Sequence, residues 1–258
     1  MPLLTRDDRL QYWRLDGDPA KPKLVLLNSL GTDHALWDVV MPALLRSFHI
    51  LRMDKRGHGA STNVTDHCSI ADLGNDVLAV MDAAGWDKAS VCGISIGGMT
   101  GMWLGIHAPS RVDRLVLSNT SAKVPSETFA GRIAQVRQDG LPAMASQILG
   151  RFFTAPFIAQ GTPAYHSVRQ TLLQTDPTGY IACCTAIRDM DLQKDLAQIT
   201  APSLVIIGDH DQSTSPAMGE EIVARVPAAQ VVRMPLAHIP ILEDPEGYAR
   251  HVVEFLTS

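Results

Sequence analysis

The stretch Val91-Cys-Gly-Ile-Ser-Ile-Gly-Gly-Met99 (VCGISIGGM) ends an apolar run on a serine held between two glycines. Its centre, Gly93-Ile94-Ser95-Ile96-Gly97, has the G-x-S-x-G pattern of a nucleophile elbow. The requirement behind the pattern is steric: a strand can turn sharply into a helix, holding the serine clear of both, only if the flanking residues are small. The neighbours therefore decide the reading. KASVCGI (88–94) runs in as a strand and GGMTGMWLGIHA (97–108) runs out as a helix, which is the setting the motif needs.

The same alternation extends in both directions. KLVLLNS (23–29), HILRMD (49–54), RLVLSNT (114–120), PSLVIIGD (202–209) and AQVVRMP (229–235) read as further strands, with QYWRLDG as an edge strand. Helical patterns lie between them at 33–48, 69–85, 215–226 and 244–256. Ser69 and Asp72 predict a capping box, with Asp in the place where Glu or Gln is preferred. Behind it Ile70, Leu73, Val77, Val80 and Met81 form the apolar stripe of a helix packed on a sheet. Short apolar strands alternating with helices predict an α/β protein with a mainly parallel, twisted sheet flanked by helices.

From about Val124 to Leu196 no run looks like a sheet strand, whereas RIAQVRQDGLPAMASQILGRFF and TGYIACCTAIRDMDLQKDLAQI look helical. That length is too great for a simple connection. It predicts a helical cap over 124–196 inserted into one core domain formed by 1–123 and 197–258.

The chain has 258 residues, 46% hydrophobic and 19% charged, with formal net charge -5, and no long basic cluster that would suit nucleic acid. The N-terminal segment meets acidic residues early and carries no apolar run of signal or membrane length, so a cytoplasmic protein without a membrane partner is expected. Cys68, Cys92, Cys183 and Cys184 lack metal-ligand spacing, and the adjacent pair would make a strained bridge; they read as reduced thiols, with Cys92 in the core. The nine histidines are scattered without zinc spacing, so neither a metal nor another cofactor is expected. Homo-oligomerisation is left open.

A serine hydroxyl is a weak nucleophile and needs a base, which needs an orienting acid. In open α/β sheets such groups lie beyond the carboxyl ends of strands, in the order serine, acid, histidine. IIGDHDQ offers Asp209 and Asp211 after one strand, and MPLAHIPILED offers His238 after the next. Asp211 is preferred because it lies farther into the loop. Taken singly, Asp211 could cap the next helix and His238 could be a satisfied loop residue; the order and the placement at strand ends favour a triad with Ser95. The amide after the nucleophile, Ile96, and that of Leu30 in LLNSLGTD are the candidate oxyanion donors.

NSLGTD (28–33), Trp37, RMDKRGHGAS (52–61), SIADLGNDVLAVMDAAG (69–85), CGISIGGMTG (92–101) and GYIACCTAIRDMDL (179–192) together resemble the 3-oxoadipate enol-lactonases of the α/β-hydrolase fold. The resemblance spans most of the chain. It implies cofactor-free hydrolysis of an enol-lactone in aromatic catabolism, the β-ketoadipate pathway, with Ser95, Asp211 and His238 as the matching triad. RFFT (151–154) stands where that family often has RWFT, and HIPILEDPEGY replaces a pattern closer to HLSNLEQPEAF.

A substrate of that kind carries a carboxylate, which calls for a cation. Arg132, Arg137, Arg151, Arg169 and Arg188 are the pool, with Arg132 and Arg151 preferred; Trp37 and Phe152 are further candidate contacts. His58 reads as structural in its turn. The leading expectation is a serine hydrolase opening a lactone or ester through an acyl-enzyme. A broad carboxylesterase or perhydrolase on the same scaffold is the alternative, and a small-ligand sensor with little turnover the third.

Overall fold

In the computed structural model, which describes residues 3–6, 8–63 and 65–258, the apolar runs form the centre of one sheet. The strands are β1 (Leu3–Arg6), β2 (Arg9–Asp16), β3 (Lys23–Leu27), β4 (His49–Met53), β5 (Ala89–Ile94), β6 (Val112–Ser118), β7 (Ser203–Gly208) and β8 (Gln230–Met234). Their order is β1-β2-β4-β3-β5-β6-β7-β8, with β1 and β2 antiparallel and the rest parallel. Every residue of β4, β5 and β7 is buried, as strands covered on both faces require.

The helices are α1 (Met41–Leu44), α2 (Ile70–Ala83), α3 (Ile96–His107), α4 (Ser126–Phe152), α5 (Ala155–Gln160), α6 (Pro163–Gln174), α7 (Pro177–Asp189), α8 (Pro216–Arg225), α9 (Pro240–Glu243) and α10 (Pro245–Thr257). The capping box forms: the Asp72 N–H donates to Ser69 Oγ at 3.0 Å, and the Ser69 N–H donates to Asp72 Oδ2 at 2.8 Å. The predicted stripe on α2 is buried. Helices α4 to α7 occupy the chain between β6 and β7, where the helical insertion is expected. The first of them breaks at Gly140, whose φ of 75° is outside the helical range, two residues before Pro142.

Two local readings are corrected. QYWRLDG is not at the edge, because β1 pairs with the outer side of its strand. The stretch 33–48 is not one helix: a 3-10 turn covers His34–Trp37, and only the single turn α1 follows, with Pro42 unable to carry a ladder bond back into the preceding turn.

Candidate active site

The turn from β5 into α3 puts Ser95 at φ 59° and ψ -123°, a conformation that side-chain-bearing residues rarely adopt. Its surroundings explain the two glycines. A Cβ on Gly93 would lie 2.2 Å from the Gly97 carbonyl oxygen, and one on Gly97 would lie 2.2 Å from the Leu27 carbonyl oxygen. The turn is held by the Ser95 N–H, which donates to the Ser118 carbonyl at 3.0 Å, and by Thr120 Oγ1, which donates to the Ser95 carbonyl at 2.7 Å.

Beyond β7 and β8 the two other predicted residues meet. His238 Nδ1 lies 2.8 Å from Asp211 Oδ2, and both side chains are almost wholly buried. The carboxylate accepts from four groups: His238 Nδ1–H, Thr214 Oγ1 at 2.7 Å on the same oxygen, and the Ser213 and Thr214 amides at 2.7 and 3.0 Å on the other. An ionised carboxylate only accepts hydrogen bonds, so this arrangement orients the ring through Nδ1–H. It does not cap α8, which starts from Ser215. Asp209 turns outward to Arg233 at 2.6 Å.

Ser95, His238, Thr214, Leu30 and the two preferred arginines line one cavity of about 200 Å³. Met99, Val124, Phe129, Phe152, Ile187 and Met218 give it apolar walls. Arg132 and Arg151 are half-buried there, with no carboxylate partner among the described residues, and Arg132 lies 4.9 Å from the centre of the Phe129 ring. Arg137, by contrast, pairs with Asp66 and Arg188 with Asp189 at the surface. The Phe152 ring stands 5.4 Å from that of His238. Trp37 is corrected: it is fully buried, its indole N–H donates to Asn28 Oδ1 at 2.8 Å, and it packs near Tyr248 away from the cavity.

The loop carrying Leu30 is fastened from the turn after β4. Gly31 N–H donates to His58 Nε2 at 3.0 Å, while His58 Nδ1 lies 2.8 Å from the Arg56 carbonyl, which makes Nδ1 the protonated nitrogen. Burial, then the nearby Lys55 charge, push the His58 imidazole down to about 3, so it stays a neutral acceptor. Lys55 Nζ donates to the Thr32 carbonyl at 2.8 Å, and its burial pushes it down to about 8.

Sequence reasoning missed the supports of the histidine loop. Asn119 Nδ2 donates to the Ala237 and His238 carbonyls at 2.8 and 3.0 Å, while its Oδ1 accepts from Gly208 N–H at 2.7 Å. Glu243 accepts from Ala237 N–H at 2.9 Å and from Thr154 N–H at 3.2 Å, joining that loop to the segment after α4. These partners are distant in sequence, and no local spacing signals them. The described residues contain no group of three or more His, Cys, Asp or Glu side chains able to hold a metal ion.

A strained serine at a strand-helix turn, sharing a cavity with a histidine that is backed by a buried acid, is a hydrolase arrangement, and the comparisons agree. The model of the alpha/beta hydrolase fold matches residues 22–245. The chain belongs to the α/β-hydrolase family. It is 32% identical to 3-oxoadipate enol-lactonase 2 of Acinetobacter baylyi, across 97% of this chain and 94% of that one. Among solved structures, an enol-lactonase from Burkholderia xenovorans superposes with a TM-score of 0.97 at 35% identity, covering 100% of both chains. A hydrolase from Pseudomonas aeruginosa matches with a TM-score of 0.97 at 39% identity, covering 100% of this chain and 98% of that one. This α/β-hydrolase is a carboxylic ester hydrolase. No helix among its described residues is long and apolar enough to cross a membrane.

Proposed function

We propose that this α/β-hydrolase opens a carboxylate-bearing lactone, 3-oxoadipate enol-lactone or a close relative, through an acyl-enzyme on Ser95. Ser95 Oγ attacks the lactone carbonyl carbon as His238 Nε2 takes its proton, and Asp211 stabilises the imidazolium. The carbonyl π pair moves to oxygen, where the Leu30 and Ile96 amides receive it; neither donates to another described residue. The oxyanion then collapses, the ring C–O bond breaks, and the enol oxygen leaves with the proton from His238. The leaving group stays tethered to the acyl chain. Water, deprotonated by His238, then attacks the ester carbonyl carbon; the Oγ–C bond to Ser95 breaks, and His238 returns the proton to Oγ as the acid departs.

The observation that carries the substrate class is the pair Arg132 and Arg151, both in the cavity and both without an acid partner among the described residues. Guanidinium groups with no acid to neutralise them, beside a reacting serine, suit a substrate carboxylate. Val124 and Pro125 also line the cavity, which supports 124–196 as a cap over a core of 1–123 and 197–258. The four buried free thiols fit a reducing compartment such as the cytoplasm.

A broad carboxylesterase is the second reading, favoured by the apolar walls, which would also take a neutral acyl or aryl group. A substrate panel separates the two. Higher kcat/KM on 3-oxoadipate enol-lactone than on p-nitrophenyl acetate is expected. Strong turnover of the aryl ester with none of the lactone would overturn the first reading.

A further inference from the structure

Ser29 Oγ is a buried hydroxyl with no hydrogen-bond partner among the described residues, and Ser29 is fully shielded. Leaving such a group unpaired is costly, so it invites a functional explanation. Its position offers one. In the parallel ladder Leu27 pairs with Gly93, and two residues beyond that pair the chains reach Ser29 and Ser95. Both residues line the same cavity.

The rest of the loop is held without this hydroxyl. Asn28 Nδ2 donates to the Met53 carbonyl at 2.8 Å, the Ser29 carbonyl accepts from Thr32 Oγ1 at 2.8 Å, Gly31 is tied to His58, and Thr32 to Lys55. Two donors remain side by side and uncommitted: the Leu30 N–H and the Ser29 O–H. We infer that the Ser29 hydroxyl is a third oxyanion donor, giving its hydrogen bond to the substrate carbonyl oxygen as that oxygen takes up charge during attack by Ser95. This rests on the serine mechanism above and adds a catalytic residue to it. A side-chain donor also differs from the backbone pair in being removable by mutation.

The test compares wild type, Ser29→Ala and Ser95→Ala on p-nitrophenyl acetate and on 3-oxoadipate enol-lactone, with thermal midpoints measured in parallel. On whichever substrate the wild type turns over, Ser29→Ala should lose about 100-fold in kcat, the order typical of one oxyanion donor, with KM little changed. Its midpoint should stay level or rise, because the hydroxyl has no partner to lose in the free protein. Affinity for phenylboronic acid, which forms a tetrahedral adduct on the nucleophile, should fall with kcat.

A kcat within twofold of wild type would overturn the role of Ser29 while leaving the serine mechanism standing, provided Ser95→Ala is inactive. A midpoint lowered by more than about 5 °C, or failure to fold, would show a structural hydroxyl and overturn it as well. Full activity in Ser95→Ala, or no turnover by the wild type, would remove the mechanism and this inference together.

Discussion

His238 Nδ1 and Asp211 Oδ2 meet at 2.8 Å in the protein interior, although 27 residues separate them in sequence. In the proposed mechanism this bond selects the tautomer with Nε2 unprotonated. Asp211→Asn keeps the shape but offers the ring a donor, so kcat should fall by about 10⁴-fold, as expected for a wrong tautomer. Asp209→Asn, which breaks only an exposed pair with Arg233, should leave kcat unchanged. Steady-state rates of the two variants make the comparison, and equal losses would remove Asp211 from its role.

Thr214 shares the same carboxylate oxygen, donating from Oγ1 at 2.7 Å. Thr214→Val preserves volume and deletes the donor; a hydrogen bond to a charged group is worth about 1.5–3 kcal/mol. A fall in kcat of roughly tenfold or more is expected. Thr214→Ser should restore it, and failure of that rescue would point to packing rather than to the hydroxyl.

The placement of the three candidate residues was legible because each follows the end of a strand. Ser95, Asp211 and His238 follow β5, β7 and β8, and those strands announce themselves as apolar runs. Trp37 was not legible. An aromatic just after the loop that follows β3 suits a cavity or a core equally well, and the 3-10 turn at 34–37 sends the indole inward to Asn28. Strand β1 carries only four residues of alternating, incomplete burial, too short a signal to read. Asn119 and Glu243 were hidden for another reason: the bonds that matter reach across 118 and 89 residues.

His58 gives stability a pH dependence of known sign. Its folded value, pushed down to about 3, lies below the ordinary value of 6.5, so the unfolded chain takes the proton first as pH falls. The contribution is complete above about pH 6.5 and is lost progressively towards about pH 3, amounting to a few kcal/mol. His34 runs the other way, because its bond to Asp54 raises it. His58→Gln retains an acceptor for Gly31 but cannot titrate. Urea unfolding between pH 4 and 7 should show a shallower acid loss in this variant; identical slopes would exclude His58 as the source.

Arg132 and Arg151 should separate charged from neutral substrates. Replacing either by Gln removes a charge-assisted contact, so KM for an enol-lactone carboxylate should rise about tenfold or more. KM for p-nitrophenyl acetate, which lacks the carboxylate, should change little. Equal effects on both substrates would assign the arginines to packing.

The central claim, that Ser95 carries the acyl group, is tested most directly by labelling with diethyl p-nitrophenyl phosphate and mapping the product by peptide mass spectrometry. One diethylphosphoryl group per chain, on Ser95, with activity lost in step, is the predicted result. Full activity with Ser95 modified, or inactivation with the label elsewhere, would contradict it.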